Sequence, residues 1–171
     1  MRKVEFTVYE FEELSDKAKE AAINNLREDV YIQSCEFDNF EIQETFSKIQ
    51  EITGVRADIR CSSQGPYVWS ANEIVENYDL TEEELFNNML AKVKEWETEY
   101  PFEDWAKDIF ENATFDDRRS YALNVGWLMV QVYKKIDDAQ LYYYEDGYVK
   151  EYLIDNNFLF FEDGSKYSLK Y

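Results

Sequence analysis

Tyr121-Ala122-Leu123-Asn124-Val125-Gly126-Trp127-Leu128-Met129-Val130-Gln131-Val132-Tyr133 is the longest apolar run in the chain, broken only by Asn124 and Gln131. It falls short of the ~20 apolar residues a membrane span requires. A run this apolar on every side instead predicts a helix through the middle of a domain. Thr114-Phe115-Asp116-Asp117 supplies capping residues ahead of it and charge returns from Lys134 onward, which places a central apolar helix over 116–144. Trp127, Leu128 and Val130 are expected inside, where truncating Trp127 to Ala would cost ~3–5 kcal/mol.

Upstream, Val4, Phe6 and Val8 alternate with polar neighbours as a half-buried strand over 3–9 does. Ser15 and Asp16 then open a helix that carries Ala18, Ala21, Ala22 and Leu26 at helical spacing. A second helix is expected from Asp38, with Glu41 completing an approximate capping box and Ile42, Phe46, Ile49 and Ile52 along one stripe up to Gly54. Val55, Ala57, Ile59 and Cys61 alternate with charged residues, and Tyr67-Val68-Trp69 resumes extended character after the Ser62–Pro66 turn, predicting two paired strands of the same sheet.

Thr81-Glu82-Glu83-Glu84 forms a capping box for a helix through Leu85, Met89, Val93 and Trp96 that stops before Pro101, and Trp105, Ile109 and Phe110 mark a shorter one after it. Downstream of the central run, a short helix to about Asn156 precedes a C-terminal β-hairpin at Phe158–Phe161 and Tyr167–Leu169. With no linker or repeat, the expected architecture is a single α+β domain over 1–171: a small antiparallel sheet with about five helices. The N-terminus lacks the apolar segment of a signal peptide, so a cytoplasmic location is expected.

The 171 residues carry a net charge of −19 and no histidine. The missing histidines remove the commonest general base and zinc ligand. Five glycines leave no phosphate-binding loop, and Tyr142 and Leu159 stand where a calcium loop built on Gly147 or Gly164 needs an acid. The two cysteines, Cys35 and Cys61, are too few for a disulfide framework, and Cys61 falls on the apolar face of its strand, where a thiol is reduced and inert. No cofactor, metal site or catalytic residue is therefore assigned. A carboxylate-dependent hydrolase is the enzyme class that composition leaves open, since acids are plentiful.

Acidic surface repels phosphate backbones and anionic lipid, so neither nucleic acid nor membrane is an expected direct partner and a basic protein is. Between Ala71 and Asp117 lie 15 acidic residues against three lysines, −12 of the total charge. Carboxylates one helical turn apart stand about 6 Å from each other, near the phosphate spacing of a nucleic-acid strand. Glu82, Glu83, Glu84, Glu95, Glu97, Glu99, Glu103 and Asp104 are the candidate partner-binding residues; a solvated helix face would produce the same pattern. Tyr67 and Trp69 are the second candidate contact, because aromatic and small polar residues together often form interfaces, although their rings would equally fill a core.

Tyr9-Glu10-Phe11-Glu12-Glu13-Leu14-Ser15-Asp16-Lys17-Ala18-Lys19-Glu20-Ala21-Ala22 resembles the opening of a family of small phage and prophage proteins, a strand followed by F-x-E-L-S-x-x-A-K-x-x-A. Ser62-Ser63-Gln64-Gly65 before an aromatic strand is similar to that family's middle, and Asn156-Asn157-Phe158 through Gly164 to its closing hairpin. The resemblance implies a mobile-element origin, where small acidic proteins often occupy a host protein; some members carry an antitoxin-like label. The resulting expectation is a non-catalytic, phage-encoded binder that inhibits or modulates a host nucleic-acid-handling or defence protein, in the manner of a nucleic-acid mimic. An antitoxin-type neutraliser of a cognate toxin is the alternative. Purified protein is accordingly expected to show no Mg²⁺- or Mn²⁺-dependent turnover on nucleic-acid, phosphoester or glycoside substrates; reproducible turnover abolished by a single carboxylate substitution would overturn that expectation.

Overall fold

The structure, a computed structural model, describes residues 7–74 and 79–168. They build an α+β fold of five helices and four short strands, in two compact units. Met1–Phe37 with Gln140–Tyr171 forms the first and Asp38–Ala139 the second. Most of the strand expected over 3–9 lies outside the described residues; within them only Tyr9–Glu10 (β1) is extended.

Helix α1 spans Asp16–Thr53 without a break. Ser15 caps it, its hydroxyl accepting from the Ala18 amide at 3.3 Å. The separate helix expected from Asp38 is thus corrected: Asp38 lies inside α1, and its capping box never forms. No glycine or proline interrupts 16–53, so the backbone has no reason to stop. The impression of two helices came from two buried stripes that do not share one helical phase: Ala18, Ala22, Leu26 and Val30, then Thr45, Ile49 and Thr53. Gly54, with φ +67°, provides the left-handed residue that ends the helix.

Strands β2 (Val55–Ser62) and β3 (Gly65–Glu73) pair antiparallel through a tight turn at Ser63–Gln64. The register steps from Asp58↔Ser70 to Ile59↔Val68, leaving Trp69 as the extra residue of a β-bulge. The hairpin forms its own two-stranded sheet, and β1 pairs separately with β4 (Leu159–Phe160), so the single sheet of the sequence reading is replaced by two. The closing hairpin is reduced to β4 and a bridge from Phe160 to Lys166 around Gly164, while Leu169 lies outside the described residues.

Helix α2 (Glu82–Lys94) starts at the expected capping box: Thr81 Oγ1 accepts from the Glu84 amide at 3.2 Å and Glu84 accepts from the Thr81 amide at 2.8 Å. Helix α3 (Pro101–Glu111) has its proline in the first turn, where no amide is needed. Helix α4 (Tyr121–Gln140) continues into a 3-10 turn at Leu141–Tyr144, and α5 occupies Asp146–Asp155. The central helix is therefore shorter than 116–144. Residues 116–120 form a loop pinned by buried Asn124, whose side chain accepts from the Asp116 amide at 2.9 Å and donates to the Asp116, Arg119 and Ser120 carbonyls. Such a web satisfies a buried amide and leaves the loop no helical geometry.

The core of the second unit gathers Val125, Met129, Val132 and Ile136 of α4 with Val55, Phe86, Val93 and Phe110. Gly126 is the contact that lets the hairpin in: a Cβ there would stand 3.2 Å from Val68 and Ala71 side chains. Trp127, expected inside, is 39 % exposed with the Arg119 guanidinium 4.9 Å from its ring, because α4 turns Leu123, Trp127 and Gln131 outward together. In the first unit Phe11, Leu14, Val149, Leu153 and Phe160 pack on the alanine stripe of α1. Gly164, φ +85°, lies so close to that helix that a Cβ would meet the Ala18 carbonyl oxygen at 2.2 Å.

Gly126→Val is expected to destabilise the protein by ~1–3 kcal/mol through overpacking. Trp127→Ala is expected to lose only about 1 kcal/mol, the scale of an exposed cation–π contact. Chemical denaturation of both variants checks the order, and a larger loss at Trp127 would contradict the outward face of α4.

Candidate functional site

The acidic middle of the chain divides, in three dimensions, into carboxylates that hold the fold and carboxylates that do not. Glu82 turns back to accept from the Tyr121 amide at the start of α4. Glu84 belongs to the Thr81 capping box, and the hydrogen bond from the Thr81 backbone, followed by that from its hydroxyl, holds its carboxyl below the usual range. Glu103 is only 5 % exposed and accepts from the Glu99 amide at 2.7 Å; Asp104 accepts from the Thr98 hydroxyl at 2.5 Å. Glu41, placed by sequence in a capping box with Asp38, instead accepts from the Phe102 amide at 2.7 Å, at the first turn of α3. Orphan amides at helix starts attract carboxylates, both by hydrogen bonding and by the helix dipole.

Of the eight candidate acids, Glu103 leaves the contact face because it is buried. Glu82, Glu84 and Asp104 are exposed but tied to local partners. Glu83, Glu95, Glu97 and Glu99 remain as exposed carboxylates with no ion pair among the described residues. Next to Glu99 in the chain, Tyr100 meets the Phe40 ring edge-on at 6.1 Å, and Phe40 is 61 % exposed. Sequence reasoning passed over Phe40 because it broke neither stripe of α1; its exposure is legible only once the helix is known to be continuous.

Tyr67 is half-buried on β3, opposite Arg60. Trp69 is 58 % exposed at the bulge, with the Arg60 guanidinium 4.1 Å above its ring and Arg60 also bound to Asp58 at 3.2 Å. The hairpin ring is thus a surface feature, not core filling. The acids and this hairpin are separate elements of the same unit.

Residues 141–144, Leu-Tyr-Tyr-Tyr, begin an aromatic ladder in the first unit that the sequence reading missed. Successive ring centroids from Tyr142 to Tyr143, Tyr148, Tyr152 and Phe158 are 6.5, 4.8, 6.3 and 6.2 Å apart. The hydroxyls find partners on α1: Tyr144 donates to Glu28, Tyr148 shares a bond with Ser34 at 2.9 Å, and Tyr152 donates to Gln33 at 2.8 Å. Three consecutive tyrosines followed by two at i and i+4 were the available signal.

Among the described residues, no group of three or more His, Cys, Asp or Glu side chains is placed to hold a metal ion. None of their helices is long and apolar enough to cross a membrane. No family model matches the chain, and neither a curated protein nor a solved structure is significantly similar to it.

Cys61 corrects a further expectation. The β2 alternation holds through Val55, Ala57 and Ile59, but the hairpin then runs past the core, and Cys61 is exposed. Its thiol lies 3.8 Å from the Tyr133 hydroxyl, a contact that raises the phenol's pKa ahead of its partial burial. Native protein is therefore expected to be labelled at Cys61 by a maleimide within minutes, before Cys35 on α1. Peptide mapping checks the order, and Cys61 protected until denaturation would show that the hairpin end is covered.

Proposed function

We propose that this chain acts by binding, not catalysis, and presents the acidic α2–α3 region of its second unit to a basic protein. The observation that carries this reading is the set Glu83, Glu95, Glu97 and Glu99, exposed and without ion pairs among the described residues, with Glu99 next in the chain to Tyr100, whose half-buried ring meets the exposed Phe40. Charge not consumed by the fold is available for steering, and an aromatic anchor beside a charged rim is the usual composition of an interface. An arginine of the partner would find both a ring face and a carboxylate here.

The partner class follows from the charge. A surface that evolved to hold nucleic acid is basic, and an acidic face competes for it as a backbone mimic. The resemblance of the opening segment to phage and prophage proteins supports a phage-encoded inhibitor or modulator of a host defence or nucleic-acid-handling protein, working in the host cytoplasm.

The test begins with a pull-down from bacterial lysate. A nuclease or similar nucleic-acid enzyme among the retained proteins supports the proposal; a small toxin instead supports the antitoxin reading. Replacing Glu95, Glu97 and Glu99 together with Lys is expected to leave folding intact, because exposed carboxylates contribute little to stability. The same variant should weaken partner binding at least tenfold at low salt and by less at high salt. Unchanged affinity at both salt levels would overturn the acidic face and move attention to the Tyr67–Trp69 hairpin.

A further inference from the structure

A cavity of about 330 Å³ opens in the second unit between α1, β2 and α4. Its wall is partly apolar, made by Ile42 and Phe46 of α1, Ala57 and Ile59 of β2, and Met129 of α4, with Ser47, Gln50 and Tyr133 completing it. Arg56, exposed on β2, is the charged residue among the described residues that line it. Ligand pockets run from roughly 300 to 1,000 Å³ and pair an apolar lining with a few placed polar groups. The cavity falls at the small end of that range and has that composition.

Arg56 is what separates this cavity from an accidental gap. The described residues include five arginines, and four are ion-paired: Arg27 with Asp146, Arg60 with Asp58, and Arg118 and Arg119 with Asp116. Arg56 has no ion pair among the described residues, in a chain of net charge −19 where acids outnumber bases two to one. Its neighbour across the ladder is neutral Asn72, and the nearest acid along its own strand, Asp58, is taken by Arg60. An unpaired arginine among residues that line an apolar surface can receive a carboxylate or other planar anion. The overall negative charge does not forbid this, because charges beyond about 8 Å are largely screened at physiological salt while a direct pair is not.

We propose that this cavity binds a small amphipathic anion, its apolar body against Phe46, Ile59 and Met129 and its carboxylate on Arg56. The site is independent of the acidic face and is read without any protein partner, so either proposal can fail alone.

Decanoate is the probe, with 1-decanol as its uncharged counterpart, followed by calorimetry and by side-chain methyl shifts of Ile59 and Met129. Decanoate is expected to bind saturably at one site, at least tenfold more tightly than decanol, with shifts confined to the cavity wall. Arg56→Gln, an exposed substitution that leaves the core untouched, should erase the preference for the anion. Ser47→Trp, on an exposed position of α1 at the cavity edge, should block both probes. Equal affinity for decanoate and decanol, persistence of the preference in Arg56→Gln, or absence of saturable binding would each overturn the proposal.

Discussion

The second unit depends on one close approach, that of the β2–β3 hairpin to α4 at Gly126. A two-stranded sheet is marginal alone and needs a surface to bury its apolar side. Gly126 provides a flat place on α4 where Val68 and Ala71 settle against the helix backbone. With the hairpin seated, Val55 and Ile49 join the α4 core, and the Tyr121 hydroxyl donates to the Thr53 carbonyl at 2.7 Å, satisfying a buried group near the end of α1. Burial there pushes the Tyr121 phenol well above its ordinary range, with the Glu73 carboxylate adding to the shift. The same hairpin carries Cys61 and Trp69 beyond the edge of the core.

Charge is the second constraint. Excess acid destabilises a compact state by self-repulsion, and this chain places part of it where helices have unsatisfied amides. Glu41 at α3, Glu82 at α4, Glu84 at α2 and Glu103 ahead of α3 all accept from backbone amides. Each is stabilising where it sits and each is lost as a binding group. The carboxylates that remain outward are fewer than composition suggests, and one of them, Glu99, precedes Tyr100, whose half-buried ring meets exposed Phe40.

The first unit solves a different problem. Its core is small, built on the alanine stripe of α1, and half-buried tyrosines pack around it. Burying a phenol without a partner is costly, so the ladder from Tyr142 to Phe158 lies along α1, where Ser34, Gln33 and Glu28 receive the hydroxyls. Arg27 fastens the start of α5 by pairing with Asp146 at 2.5 Å and donating to the Tyr144 carbonyl.

Local chemistry was decided by the sequence alone. The Ser15 cap, the Thr81–Glu84 box, the Gly54 stop, the β2–β3 pairing and the α2 and α3 helices were all legible, because each rests on residues within a few positions of one another. What needed tertiary structure was anything set by distant partners. Asp38 reads as a cap until the continuous helix denies it, Trp127 reads as core until α4 is rotated against its neighbours, and Cys61 reads as buried until the hairpin outruns the core. Glu41 reads as part of a local capping box, and Glu82 as a surface acid, until they are seen capping helices 61 and 39 residues away. Periodicity reports which face of an element is apolar; only packing decides how far along that face the cover extends.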